Sequence, residues 1–343
     1  MFKSLRYLGP NKLVIEDVAK LNPQKGEVLL KVRACGICGS DVHGALGLTG
    51  RRIPPMTMGH EFSAEVIELG SDVAKFKVGD GVIVQPINFC GECVNCQQGL
   101  TNMCLNKNLF GVLTVDGAMA EYVVVPEKLL YKLPERCSYE IGALAEPYAV
   151  AYGAIKKVDD FAGKNVLIIG AGTIGLCILQ LVILHNSKQI IVSDLSDARL
   201  EVAKEFGADK TINPKNEDYM EAIAKYTDGF MVDISIEAVG VQATANQSIK
   251  SLKVGGTSIW VGMSQKEMEI NMHDIVCSAR RVLGSFNYTH EEFGEVVDIM
   301  GSGKMDAQKL ISEVVSLEDA PKAFDDLRQK PDEFIKVIID PTK

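Results

Sequence analysis

The stretch Asn165-Val-Leu-Ile-Ile169-Gly170-Ala-Gly172-Thr173-Ile174-Gly175 limits what this chain can fold into more than any other. Its first five residues read as a continuous apolar strand of the kind buried on both faces in parallel sheets. The strand enters glycines at G-x-G-x-x-G spacing and then an apolar helix, Leu176 to Leu184. The order strand, glycines, helix carries the signal. The first two glycines allow a tight turn and close backbone approach to a pyrophosphate at the helix N-terminus, with Thr173 and Ile174 inside the loop.

A second strand, Gln189 to Ser193, ends in Asp194, about 20 residues beyond the last glycine, where a carboxylate would meet ribose hydroxyls. Asp194 would repel a 2′-phosphate, so NAD is expected over NADP. Arg199, on the following helix, weakens that preference a little. Further strands at Met231 to Ile236, Thr257 to Val261 and Arg281 to Ser285, separated by helical patterns, predict a doubly wound parallel sheet over residues 150–286.

Residues 1–149 have a different character. Glu27 to Ala34 alternates Val28, Leu30, Val32 and Ala34 against Leu29, Lys31 and Arg33, which predicts a half-buried strand. Short apolar runs at Ala64 to Leu69, Val82 to Val84 and Tyr122 to Val125 are punctuated by Gly70, Gly79-Asp80-Gly81, Gly117 and Pro126. That pattern predicts a small β-rich, barrel-like domain. Residues 287–343 return to amphipathic helices, with apolar stripes at Phe293, Val296, Val297, Met300 and at Ala320, Ala323, Phe324, Leu327. They close on a strand, Lys336 to Ile339, expected to rejoin the first domain.

The first strand delivers the chain to Cys35-Gly-Ile-Cys38-Gly-Ser40-Asp41-Val-His43, which a Gly/Arg/Pro-rich loop joins to Gly59-His60-Glu61. A thiolate, an imidazole and carboxylates so close in sequence can fold back onto one ion, and Cys38 with His60 is read as the grip on a catalytic zinc. Asp41 is expected to accept the other ring N–H of His60, which fixes the tautomer of a zinc-bound imidazole. Ser40 and His43 would pass a proton out to water.

Cys90-x2-Cys93-x2-Cys96, followed by Cys104, can place four thiolates around a second ion with no position left for water, a structural site. An iron–sulfur cluster also uses this spacing, but its bacterial form has the fourth Cys after three residues and followed by Pro. Here Leu105 follows, which favours zinc. Glu146, before Pro147 in an apolar setting, reads either as a buried paired carboxylate or as an exposed one flanking a helix. Arg51-Arg52, in the loop between the zinc ligands, could clamp a phosphate on the substrate bidentately.

Composition excludes other classes. With 343 residues, 47% of them apolar and 24% charged, two folded domains are expected, and a net charge of −9 argues against nucleic acid as a partner. Met1 to Pro10 lacks the apolar core of a secretory signal. The longest apolar run is too short for a membrane span and contains Gln180, so a cytoplasmic protein without membrane partners is expected. Nine cysteines in that compartment point to metal or redox chemistry rather than disulfides.

Together these residues resemble the zinc-dependent medium-chain alcohol and polyol dehydrogenases, especially those acting on sorbitol, butanediol and sugar-alcohol phosphates. The resemblance implies an α/β protein with a GroES-like catalytic domain, interrupted by a Rossmann dinucleotide-binding domain and completed by the C-terminal segment. It implies two Zn2+ per chain, NAD, a polyol or diol substrate and a homodimer or homotetramer. Cys38, His60 and a carboxylate from Glu61 or Glu146 would hold the catalytic zinc. Glu146 stands where alcohol dehydrogenase has its second Cys. Ser40 would take the hydroxyl proton, with His43 or ribose hydroxyls relaying it. Threonine dehydrogenase, an NADPH-dependent alcohol dehydrogenase and an inactive zinc- and nucleotide-binding scaffold are the alternatives.

Overall fold

A computed structural model describes all 343 residues, which form two units: Met1–Glu146 with Thr289–Lys343, and Pro147–Tyr288. The divisions lie a few residues from those read in the sequence. The helix Ala145–Ile155 starts in the first unit and runs into the second, so no loop marks the crossing.

The first unit is organised on the strand Glu27–Gly36. It pairs antiparallel with Glu61–Leu69, Tyr122–Pro126 and Lys336–Asp340. Gly81–Val84 and Leu130–Lys132 extend the sheet on one side, and Ile311–Ser316 extends it on the other. Three further strands, Phe2–Gly9, Lys12–Val18 and Met56–Thr57, form a separate small sheet. The core gathers Leu30, Val32, Phe62, Val66, Val84, Val125 and Ile339, each buried and each contributing about 1.5–3 kcal/mol by leaving water.

The alternation predicted over Glu27 to Ala34 holds from Leu30 to Ala34 and fails before it. Leu29 is buried alongside Val28 and Leu30. Helix Tyr139–Ala143 covers the opposite face of the strand, and Arg33 stacks its guanidinium 4.9 Å from the Tyr139 ring centroid.

Strand register converges at Gly36. This residue is opposite Glu61 on one side and Ile338 on the other, so the end of one strand, the start of a second and the middle of a third meet at one residue without a side chain. A Cβ on Gly36 would lie 2.1 Å from Glu61 Oε2, so the glycine makes room for that carboxylate.

The second unit holds a six-stranded parallel sheet in the order Lys210–Ile212, Gln189–Ser193, Asn165–Ile169, Val232–Glu237, Leu252–Trp260, Arg281–Gly284. In chain order this is 3-2-1-4-5-6, the doubly wound arrangement whose ligand crevice opens at the carboxyl ends of the first strands. Back in the first unit, helix His290–Gly301 buries Phe293, Val296, Val297 and Met300. It starts in a capping box: Thr289 Oγ1 accepts from Glu292 N at 3.2 Å and Glu292 Oε2 accepts from Thr289 N at 2.7 Å. No helix is long and apolar enough to cross a membrane.

Candidate metal and coenzyme sites

Cys38 caps the helix Gly39–Ala45, in extended backbone at φ −86°, ψ 150°, and its Sγ accepts from Ser40 N at 3.5 Å. Asp41 completes the cap: its Oδ2 accepts from Cys38 N at 3.2 Å. The carboxylate expected to serve His60 thus also fixes the backbone of Cys38. His60 leads directly into strand Glu61–Leu69 and is buried. Ligand atoms of Cys38, His60 and Glu61 lie within 4.8 Å of one another. A soft thiolate, an imidazole and a carboxylate at that spacing are a donor set that fits zinc.

The support around these three residues is unequal. His60 Nδ1 faces Asp41 Oδ1 at 3.5 Å, an ion-pair separation too long for the hydrogen bond read from the sequence. Burial pushes the His60 ring toward neutrality, but Asp41 and then Cys38 outweigh it and hold its pKa well above the usual value. Asp41 is opposed by its own burial, yet His60 and Arg52 keep its pKa low.

Glu61 has an unexpected partner. Lys336 Nζ donates to both of its oxygens, at 2.6 and 2.9 Å, and both side chains are buried. In sequence Lys336 reads only as the start of a strand. The signal that could have found it is a lysine heading the buried run Val-Ile-Ile, since a buried ammonium requires a counter-charge. Glu146 is buried in the first turn of its helix and lies outside the Cys38, His60, Glu61 group, although its charge reaches Lys336. Ser40 and His43 are exposed and three residues apart on the short helix, hence neighbours on its surface.

The expected Arg51-Arg52 phosphate clamp is corrected by the structure. Arg51 is exposed, whereas the Arg52 side chain is 3% exposed and its Nη2 donates to Asp41 Oδ1 at 2.6 Å. A guanidinium committed to a buried carboxylate is not free to grip a substrate phosphate, and two adjacent arginines facing apart do not form one fork.

Cys90, Cys93, Cys96 and Cys104 come together with their Sγ atoms inside 4.8 Å of each other. Cys104 Sγ is 3.5 Å from Cys90 Sγ, and Cys93 Sγ is 3.9 Å from Cys104 Sγ. Backbone N–H groups aim at the sulfurs: Cys93 N at Cys90, and Cys90 N and Asn106 N at Cys104, at 3.3–3.4 Å. Backbone hydrogen bonds at Leu105 and Cys96 draw the Cys93 thiol down to about 6, while desolvation and the neighbouring sulfurs push Cys96 up to about 12. Four thiolates so close repel one another, and a divalent cation in their midst removes the conflict.

In the second unit, Gly172 caps helix Thr173–Ile183 without a side-chain bond, at the end of the helix whose dipole favours an anion. Gly175 permits the tight approach of helix to strand, because a Cβ there would lie 1.7 Å from Gly170 O. Asp194 Oδ2 accepts from Ala171 N at 2.7 Å and its Oδ1 from Ser196 N at 2.9 Å. These bonds lock the carboxylate beside the glycine loop with lone pairs to spare. Arg199 is half-buried on helix Asp197–Glu205.

Known proteins resemble this chain over nearly its whole length. Residues 24–135 match the alcohol dehydrogenase GroES-like domain, and residues 173–302 match the zinc-binding dehydrogenase domain. The (R,R)-butanediol dehydrogenase of Bacillus subtilis (strain 168) is 34% identical over 351 residues, covering 99% of both chains. The chain belongs to the zinc-dependent medium-chain polyol dehydrogenase family. Sorbitol dehydrogenase of the same organism is 34% identical over 336 residues, covering 97% of this chain and 95% of its own. A zinc-binding dehydrogenase from Sinorhizobium meliloti 1021, solved bound to NADP, superposes with a TM-score of 0.92 at 34% identity over 99% of each chain. As a member of this family the chain is an oxidoreductase of α/β architecture, a GroES-like unit with a Rossmann unit.

Proposed function

We propose that this dehydrogenase oxidises a secondary hydroxyl of a polyol, diol or sugar alcohol to a ketone, using NAD and a zinc held by Cys38, His60 and Glu61. The grouping of those three ligand atoms, two residues before Ser40 in the case of Cys38, carries the reading. When bound, zinc supplies a Lewis acid that acidifies a hydroxyl, and NAD supplies the hydride acceptor. The chain's own residues do the rest. Ser40 takes the hydroxyl proton and His43, its exposed neighbour, hands it to water. Glu61, neutralised by Lys336, contributes less net negative charge to the site than a free carboxylate would. The relatives' substrates, butanediol and sorbitol, support the substrate class.

Asp194 supports NAD, since a fixed carboxylate beside the glycine loop repels a 2′-phosphate. The relative solved with NADP favours a second reading, in which Arg199 receives that phosphate. The Cys90, Cys93, Cys96, Cys104 set holds a second, structural zinc in this proposal. A cytoplasmic homodimer or homotetramer completes it. Its support is exposed Met263, Met272 and Val276, together with the edge strand Arg281–Gly284 in the second unit.

The test is a purified-protein screen of free and phosphorylated alditols, diols and threonine with NAD and with NADP, alongside metal analysis. Ketone formation from a diol or alditol with NAD is expected. No turnover across the panel would revive an inactive zinc- and nucleotide-binding scaffold, and preference for threonine would reassign the substrate.

A further inference from the structure

We propose that Arg52 is a positioning residue that sets the direction of proton transfer through Ser40. The inference rests on the reading of Ser40 as the group that takes the substrate proton.

The geometry is specific. One nitrogen of Arg52, Nη2, lies 2.6 Å from Asp41 Oδ1 and 3.3 Å from Ser40 Oγ. The guanidinium is buried, whereas the hydroxyl it reaches belongs to an exposed residue. Two features hold the arm in place. Its backbone is tied down on both sides, with Leu113 N donating to Arg51 O at 2.8 Å and Ile53 N donating to Leu113 O at 3.0 Å. Its stem crosses helix Gly39–Ala45 at Gly44, where a Cβ would stand 2.6 Å from Arg52 Cγ. Only a residue without a side chain leaves that path open.

The chemistry follows from what each group can do. A guanidinium donates and never accepts, while a serine hydroxyl has one proton and two lone pairs. Arg52 fills one lone pair of Ser40, so the Oγ–H must point away from Arg52. The second lone pair is left for the incoming proton. During oxidation the substrate O–H proton moves to that lone pair as Ser40's own proton leaves toward the His43 ring. The electron pair of the C–H bond departs as hydride to the nicotinamide coenzyme, and Ser40 ends neutral. Without Arg52, nothing fixes the direction of the hydroxyl proton. Asp41 keeps the arginine charge neutralised, so the arm orients Ser40 without placing a bare cation beside it.

Arg52→Lys keeps a cation for Asp41 but shortens the arm and loses the rigid plane in which Nη2 faces both partners. The experiment is a double-mutant cycle of Arg52→Lys with Ser40→Ala, using 2,3-butanediol and NAD, or the best alcohol of the screen if butanediol is not turned over. Arg52→Lys should lower kcat about tenfold, a fraction of the 10²–10⁴ that a positioned proton-transfer group contributes, and leave KM within about twofold. In the Ser40→Ala background it should change kcat less than about twofold, since the group it positions is gone.

Zinc release to a chromogenic chelator provides a readout without turnover, and Arg52→Lys should match the parent protein within about twofold. Gly44→Ala, which displaces the arm while leaving every polar group in place, should reproduce the kcat loss and be masked in the same way. Losses that multiply with Ser40→Ala, or zinc release accelerated about tenfold, would assign Arg52 to fold or metal retention and overturn the proposal. Unchanged kcat in both Arg52→Lys and Gly44→Ala would also overturn it. If Ser40→Ala alone leaves kcat intact, the underlying reading of Ser40 fails, which is a separate result.

Discussion

Lys336 Nζ lies 2.6 Å from Glu61 Oε2 and 3.1 Å from the carbonyl oxygen of Ile37, so one buried ammonium ties the closing strand to the carboxylate beside His60. Burial alone would discharge this lysine. Glu61, then Cys38, reverse that and push its pKa up to about 12. The pair depends on Gly36, whose missing side chain leaves room for the Glu61 carboxylate.

Replacing Lys336 by Met should therefore cost much more than a surface pair would. Glu61 would be left as a buried charge without a partner, and removing one member of such a pair costs about 3–5 kcal/mol. Urea denaturation of the metal-free protein measures it, and added zinc should recover part of the loss by mass action. A loss below about 1 kcal/mol would show that Glu61 finds solvent or another cation.

The two donor sets predict distinct metal inventories. Metal analysis of the purified protein should find two zincs per chain, with one lost in Cys93→Ser and a different one lost in His60→Ala. Cys93→Ser should lower the melting temperature, because the thiolates around it then lose the cation that relieves their repulsion. His60→Ala should abolish turnover and spare the structural lobe. A Cys93→Ser protein that still holds two zincs would remove the structural assignment.

Much of the site was legible because its chemistry is local in sequence. Cys38 and Asp41 share one helix start, His60 and Glu61 are adjacent, and Cys90, Cys93, Cys96 and Cys104 fall within one short lobe. The glycine loop was legible for the same reason, since strand, turn and helix follow one another directly. Lys336 was not, because its partner is 275 residues away and only strand register brings them together. Arg52 was misread because its neighbour in sequence, Arg51, suggested a pair. Its direction is set by Gly44 and Asp41, and no periodicity records that. Leu29 escaped for a related reason: one of the strands flanking it, Tyr122–Pro126, comes from over ninety residues downstream.

Coenzyme choice gives a sharp test of Asp194. Two backbone N–H groups hold its carboxylate, so it cannot swing aside for a 2′-phosphate. NAD should be preferred over NADP by at least about tenfold in kcat/KM, equivalent to about 1.4 kcal/mol. Asp194→Gly should raise KM for NAD and narrow or reverse that ratio. An unchanged ratio would mean that another group selects the coenzyme.

His290 sets a pH dependence that can be separated from the metal chemistry. Its Nδ1 lies 2.6 Å from Gln85 Oε1 and 2.8 Å from Tyr131 OH, its backbone N donates to Thr101 Oγ1 at 2.7 Å, and its ring lies tilted against Phe89, centroids 5.1 Å apart. Burial, then Lys128 and Lys75, lower its pKa in the folded protein. The unfolded chain therefore binds the proton more readily, and the sign is fixed: the contribution to stability is complete above the unfolded value near 6.5 and drains away as pH falls below it. Thermal melts at pH 7.5 and pH 5.5 should show a larger drop in the parent protein than in His290→Gln, which keeps a polar side chain but cannot charge. Because Thr101 sits in the cysteine-rich lobe, acid should also speed exchange of backbone amides there, and hydrogen exchange at the two pH values, corrected for intrinsic rates, reports it. Equal melting-temperature drops in the two proteins would transfer the acid sensitivity to other groups and leave His290 as packing alone.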